Sequence, residues 1–246
     1  MNNYRLTIAY DGSRYKGWQR LKDNDQTIQG KIENVLTLMV GQTIEIIGSG
    51  RTDAGVHALH QVANFKIQKR LKINEIMEYL NHYLPDDIVV LDVSEVSDRF
   101  HARYNATHKQ YLYRINNSTY KDPFTRKYTY HLSQSLNITQ MNKAASYFLG
   151  EKDFKSFTTM KSKKKSTVRK INSIDIAVKD GEITFLFDGD GFLYNMVRII
   201  VGTLIEVGLG HMKVDAIPEI FKKMERQYAG PTAPAQGLFL KEVFYN

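Results

Sequence analysis

The run Gly48-Ser49-Gly50-Arg51-Thr52-Asp53-Ala54-Gly55-Val56-His57 sets a cation, a carboxylate and an imidazole among three glycines. Glycine frees the backbone for tight turns and for close approach to a ligand. Arg51, Asp53 and His57 are therefore the first candidates for chemistry. A carboxylate ionised at neutral pH can act there as nucleophile or base without a metal. The other reading is a glycine-rich connection carrying a surface ion pair. The run is not a dinucleotide fingerprint, because its third glycine is misplaced. Nor is it a phosphate loop, because no Gly-Lys-Ser/Thr closes it.

A second candidate sits in a helical pattern. Met196, Val197, Ile199, Ile200, Val201, Leu204, Ile205 and Val207 surround the segment from 195 to 207 on nearly every side, and Arg198 lies within it. A helix apolar all round is buried. A guanidinium cannot shed its charge, so burial demands a partner, usually a carboxylate. Asp53 is one choice, Asp188 and Asp190 are others, and snorkelling to the surface is the alternative. Gly202, one turn later, leaves room beside Arg198 for another chain segment.

Other residues suggest weaker chemistry. His57 could serve as a general base, although a lone histidine is more often structural. His57 and His60 lack a third ligand for a metal. Asp188-Gly189-Asp190-Gly191 lacks the remaining ligands of a calcium loop and reads as a hairpin end. Tyr111 and Tyr113 share one side of a strand beside Lys109 and Arg114. That pattern suits base stacking, but it also suits an ordinary half-buried strand. Lys161, Lys163, Lys164, Lys165, Arg169 and Lys170 form an acid-free run, read as an RNA contact.

The elements that position these residues follow from periodicity. Tyr4–Tyr10 reads as a strand. Thr27 caps a helix that ends at Gly41, and strands follow at 43–47 and 61–67. A helix opens at Asn74, and the strand 87–93 completes a β-α-β-β-α-β order, the split βαβ arrangement. In the second half, strand 110–115 precedes a helix capped by Thr139 and ended by Gly150. A hairpin then turns at Asp180-Gly181. The Arg198 helix runs to Gly208, another is capped by Asp215, and strand 238–244 closes the chain. Two related ferredoxin-like halves are expected, 1–104 and 105–246. They should share one mixed, mainly antiparallel sheet with a cleft between them, an α+β fold.

The chain has 246 residues and no cysteine, which excludes disulfides, thiolate nucleophiles and cysteine metal sites. Its formal charge of +8 favours a polyanionic partner. Fifteen tyrosines among the aromatics suit unpaired bases as well as cores. No stretch approaches the ~20 apolar residues of a membrane helix, and the N-terminus has no signal-peptide pattern. A soluble, cytoplasmic protein is expected.

The stretch Gly50-Arg51-Thr52-Asp53-Ala54-Gly55-Val56-His57-Ala58 resembles the signature of the tRNA pseudouridine synthase A family. Matching stretches follow in order across essentially the whole chain. They are Tyr10-Asp11-Gly12-Ser13, Gly17-Trp18-Gln19, Leu84-Pro85-Asp86-Asp87-Ile88, Phe100-His101-Ala102-Arg103, Tyr111 with Tyr113, and Asp153-Phe154-Lys155-Ser156-Phe157. Gly191-Phe192-Leu193, Met196-Val197-Arg198 and Thr232-Ala233-Pro234-Ala235-Gln236-Gly237-Leu238 complete the set. The resemblance implies isomerisation of uridine to pseudouridine at positions 38, 39 and 40 of tRNA, by a homodimer without cofactor or metal. It implies that Asp53 is catalytic, that Tyr111 stacks on the target base, that Arg198 pairs with Asp53 and that Arg51 contacts RNA. Gln236 departs from the acid frequent in the family. A paralogue acting on other tRNA or rRNA uridines, or a non-catalytic RNA-binding module, are the alternatives.

Overall fold

A computed structural model describes residues 1–22, 24–160 and 166–246. They form two compact units, Met1–Thr107 with Phe239–Asn246, and His108–Leu238. Each combines mainly antiparallel sheet with helices, the α+β class the sequence leads one to expect.

The first unit runs β1 (Asn2–Tyr10), α1 (Ile28–Val40), β2 (Ile47–Gly48), β3 (His57–Ile67), α2 (Ile73–Tyr83) and β4 (Ile88–Val96). β1 lies between β3 and β4 and is antiparallel to both, and β2 pairs with the other side of β3. Alternation drives β1: Tyr4, Leu6, Ile8 and Tyr10 are buried on one face. Thr27 caps α1, its hydroxyl accepting from the Gly30 amide at 3.3 Å. Gly41, at φ 71°, ends that helix.

The strand expected at 43–47 is reduced to Ile47–Gly48. Side chains of α1 have taken the backbone amides a strand would use. Ile46 N–H donates to Glu33 Oε1 at 3.0 Å, and Ile44 N–H to Thr37 Oγ1 at 3.1 Å. The C-terminal strand Leu238–Tyr245 joins this unit by pairing parallel to β3, Phe239 opposite His57 and Leu240 opposite Ala58.

The second unit, entered within β5 (Ala106–Asn116), continues with β6 (Tyr130–His131), α3 (Ile138–Ser146), β7 (Gly150–Asp153), β8 (Val168–Lys179), β9 (Glu182–Gly189), α4 (Met196–Gly208) and α5 (Ala216–Lys223). β9 is antiparallel to β5 and β8, β7 flanks β8, and β6 runs parallel to β5. Asp180 and Gly181 both take positive φ, 49° and 78°, as a two-residue hairpin turn requires. The α3 cap is Asn137 rather than Thr139: its side chain accepts from Gln140 N–H at 3.0 Å, which places Thr139 inside the helix.

Helix α4 is buried on nearly all sides. Where Gly202 was expected to admit another segment, Gly230–Ala233 passes. A Cβ on Gly202 would lie 1.8 Å from the Pro231 carbonyl oxygen. Phe154 and Phe157 enter an aromatic cluster with Phe148 and Phe221, and Ser156 Oγ donates to the Ile220 carbonyl at 2.8 Å. The Asp153–Phe157 stretch therefore serves the core. No helix among the described residues is long and apolar enough to cross a membrane.

Candidate active site

The loop between β2 and β3 is tied down by side chains that its own sequence does not contain. Tyr10, buried at the end of β1, hydrogen-bonds Thr52 Oγ1 through its hydroxyl at 2.8 Å. Burial holds its phenol well above the usual tyrosine value, so it is neutral in the working range. Gln61 on β3 grips the loop's first turn. Its Oε1 accepts from Ser49 Oγ at 2.6 Å and from Val62 N–H at 3.2 Å, and its Nε2 donates to the Gly50 carbonyl at 3.1 Å. Gln61 and Ser49 are fully buried.

The segment from 11 to 18 closes over the same loop. Trp18 N–H donates to the Thr52 carbonyl at 3.1 Å, and Gly55 N–H to the Tyr15 carbonyl at 3.3 Å. The fit requires glycine. A Cβ on Gly12 would stand 2.0 Å from Val56 O, and Gly17 combines φ 98° with a contact of 2.6 Å to Thr52 O. The segment is anchored in turn by Asp87, whose carboxylate accepts from the Tyr15 hydroxyl at 2.6 Å and lies 2.5 Å from Arg14 Nε. Burial and the neighbouring Asp87 push the Tyr15 phenol up to about 12. The stretches Tyr10–Ser13, Gly17–Gln19 and Leu84–Ile88 are thus parts of one clamp.

Within that frame Asp53 is half-buried and Arg51 is exposed. His57 is buried at the start of β3 and stacks on Phe239 with centroids 4.7 Å apart. Its Nδ1 lies 3.1 Å from both Gly12 N and Asp11 Oδ1, so it fastens the 11–12 turn to the sheet. His60 Nδ1 faces the Lys241 carbonyl at 2.9 Å. Among the described residues no three His, Asp or Glu side chains are grouped as a metal site would need.

In the second unit Tyr111 is buried on β5, its ring edge-on to Phe192 at 5.0 Å. Tyr113, two residues on, is fully buried and donates to the Pro234 carbonyl at 2.8 Å. Burial drives its phenol far above the usual value, with Arg198 nearby pulling the other way. Arg198 is half-buried. Its Nε donates to the Ala233 carbonyl at 2.7 Å and its Nη1 to Asn195 Oδ1 at 2.9 Å. The Ala233 amide returns a bond to the Arg198 carbonyl at 3.0 Å. Gly237 completes the seam, since a Cβ there would meet the Tyr113 ring at 2.7 Å. The Thr232–Leu238 stretch is thereby explained as the collar of Arg198 and Tyr113.

Arg169 lies on β8 and donates to the carbonyls of Val168 and Ser166 at 2.5 and 3.3 Å. Lys161, Lys163, Lys164 and Lys165, expected to contact RNA, lie outside the described residues. Spacing alone gave no role to Tyr10, Gln61, Asp87 or Tyr15. Tyr10 and Asp87 fall within the stretches that carry the family resemblance, which was the available signal, while Gln61 and Tyr15 lie outside them.

The site is thus a carboxylate on a glycine loop, clamped by buried side chains in an α+β unit of split βαβ order. A family profile for tRNA pseudouridine synthase matches residues 6–105 and 144–246, and the chain belongs to that family. It is 56% identical to tRNA pseudouridine synthase A of a Bacillus species over 245 residues, covering 100% of both chains. It is 53% identical to tRNA pseudouridine synthase A 2 of Bacillus cereus over 99% of each chain. It is also 47% identical to tRNA pseudouridine synthase A of Acetivibrio thermocellus over 100% of each. Among solved structures, the archaeal box H/ACA sRNP Nop10-Cbf5 complex contains a chain 11% identical, at a TM-score of 0.39, over 94% of this chain and 58% of that one. The chain thus spans little more than half of that structure's length.

Proposed function

We propose that this enzyme, an isomerase of tRNA uridines, acts in the cytoplasm on positions 38, 39 and 40 of the anticodon arm, with Asp53 as its catalytic carboxylate. One observation carries the assignment of Asp53. The loop that bears it is fixed from three directions, by Tyr10, by Gln61 and by the Gly12–Trp18 segment. Preorganised geometry is what a single-carboxylate reaction needs. The reaction breaks the C1′–N1 glycosidic bond, turns the uracil and joins C1′ to C5. The hydrogen of C5 goes to solvent and N1 gains a proton, so no electrons are exchanged and no redox cofactor is required. Asp53 serves as nucleophile or base in that sequence. The target nucleotide leaves its stack at a cost of a few kcal/mol, which stacking on Tyr111 offsets in part. Arg51 contacts the RNA backbone and helps extrude the nucleotide. Arg198, its head held by Ala233 and Asn195, belongs to the substrate-binding set. The enzyme works as a homodimer.

The test is tritium release from tRNA labelled at C5 of uridine, followed by mapping of the product to its position. Release from wild type and none from Asp53→Asn is expected. Release by Asp53→Asn at the wild-type rate would remove Asp53 from the mechanism. Product at uridines outside 38–40 would reassign the substrate and leave the chemistry standing.

A further inference from the structure

The connection between β5 and β6 is an ordered, basic and aromatic projection that the isomerisation leaves without a role. Its root is pinned to the second unit. Asn117 Nδ2 donates to the Leu132 and Gln134 carbonyls at 2.6 and 2.9 Å, and His131 Nε2 lies 3.0 Å from the Ser118 carbonyl. Its tip is shaped by Asp122, which accepts from Phe124 N–H at 2.9 Å and from Thr125 Oγ1 at 2.8 Å. Tyr128 N–H and Thr129 Oγ1 then both donate to the Thr125 carbonyl, at 2.8 and 3.1 Å.

This frame holds Tyr120 at 84% exposure and Phe124 at 89%. Lys121, Arg126 and Lys127 are exposed beside them. The only carboxylate in the loop, Asp122, is turned inward onto the loop's own donors. Single exposed apolar side chains are ordinary. Two almost fully exposed rings within five residues, on backbone fixed at root and tip and set among three cations, are equipment for unpaired bases and phosphates.

We infer that the 118–128 loop is a second tRNA-contact surface, in which Tyr120 and Phe124 stack on unpaired bases while Lys121, Arg126 and Lys127 meet phosphates. The inference rests on the tRNA reading above. A second copy of the chain fits less well, since a self-complementary contact would bring these cations onto one another, and like charges set together are unfavourable.

The experiment measures equilibrium binding of an unmodified tRNA transcript, and of a fully paired RNA duplex, to the full-length protein over a range of salt. The variants are Tyr120→Ala with Phe124→Ala, Tyr120→Trp with Phe124→Trp, and Lys121→Gln with Arg126→Gln and Lys127→Gln. The double alanine variant should weaken tRNA binding about tenfold or more and leave duplex binding alone, and the double tryptophan variant should restore it. The glutamine variant should weaken both ligands and reduce the slope of log affinity against log salt by about 2. Both rings are exposed, so urea midpoints should match wild type, and a folding defect would be visible as such. Wild-type affinity and slope in every variant would overturn the inference. So would unchanged affinity with altered sedimentation, which would give the surface to another copy. Wild type that binds no tRNA and releases no tritium would sink the tRNA reading itself, a result distinct from either.

Discussion

The two units hold their candidate residues in different ways. In the first, Asp53 rides on a loop whose position is set by side chains from β1 and β3 and by backbone bonds from the 11–18 segment. In the second, Tyr111 is a regular strand residue, and Arg198 is a regular helix residue whose head is collared by backbone from 230–234. A loop carries no lattice of its own bonds to fix it, so its precision is distributed over remote donors. A strand or helix residue inherits its place from the element. Damage at a distance should therefore fall on the Asp53 loop, while the second unit should respond chiefly to changes at the residues themselves.

The largest effect is expected at Asp53. Asp53→Asn keeps the shape of the side chain and removes its charge, so turnover should vanish while tRNA affinity largely survives. Single-turnover tritium release and filter binding separate the two. A variant that lost binding and chemistry together would make Asp53 an RNA anchor instead.

Arg198→Met comes next. It keeps the apolar stem on α4 and removes the donors to Ala233 and Asn195. A hydrogen bond to a charged group contributes about 1.5–3 kcal/mol, and this head is half-buried, so the lower end is expected in urea unfolding. Activity should fall strongly, and combining the change with Asp53→Asn should add nothing further to the catalytic loss. Independent, additive losses would separate Arg198 from Asp53.

Gln61→Leu tests the remote control of the loop. It removes the Gln61 contacts to Ser49 Oγ and Val62 N–H, both buried, and to the Gly50 carbonyl, part-buried. Each unsatisfied buried group costs about 1–3 kcal/mol. The expected outcome is a fall in kcat with KM little changed, because the change leaves the proposed RNA contacts of Arg51 and Tyr111 in place. A loss confined to stability, with kcat intact in the folded fraction, would show that the loop holds its geometry without Gln61. On the other side of the comparison, Tyr111→Phe should be much milder than Tyr111→Ala if the ring is what counts. Equal losses would point to the hydroxyl.

What could be read from the sequence follows the same division. Thr27, Gly41, the Asp180-Gly181 turn and the space beside Gly202 are local or helical signals, and the fold uses each of them. The strand expected at 43–47 failed because Glu33 and Thr37, residues of a different element, took its amides. Glu33 is 2% exposed. No periodicity announces that a glutamate on an amphipathic helix will turn inward to cap a passing chain. Asp53 and Arg198 drew notice by their types and settings, whereas Tyr111 read as an ordinary half-buried strand residue until the family resemblance singled it out. Tyr10 and Gln61 were not legible by type, since a tyrosine or glutamine in a strand looks the same whether it braces a loop or only fills a sheet.

The smallest predicted effect concerns Tyr15 and alkaline pH. Its phenol ordinarily ionises near 10, and in the folded protein it is held up to about 12 by burial and by the bond to Asp87. Between these values the unfolded chain has released the proton and the folded chain has kept it. The unfolded state then binds fewer protons, so stability must fall as pH rises. The Tyr15 contribution is complete below pH 10 and is lost through pH 12. Tyr10 and Tyr113, pushed up by burial, act in the same direction, so the wild-type curve alone does not isolate Tyr15. The difference between wild type and Tyr15→Phe does. Phenylalanine keeps the ring in its buried place but cannot donate to Asp87, so it should be less stable at pH 8. That deficit should shrink between pH 10 and 12, because the unfolded wild type gains free energy by releasing a proton that the phenylalanine variant lacks. Urea midpoints measured across this range check it. A deficit independent of pH would mean that Tyr15 braces the 11–18 segment through its ring and backbone, and that the hydroxyl contributes little to holding Gly55 and the loop beyond it.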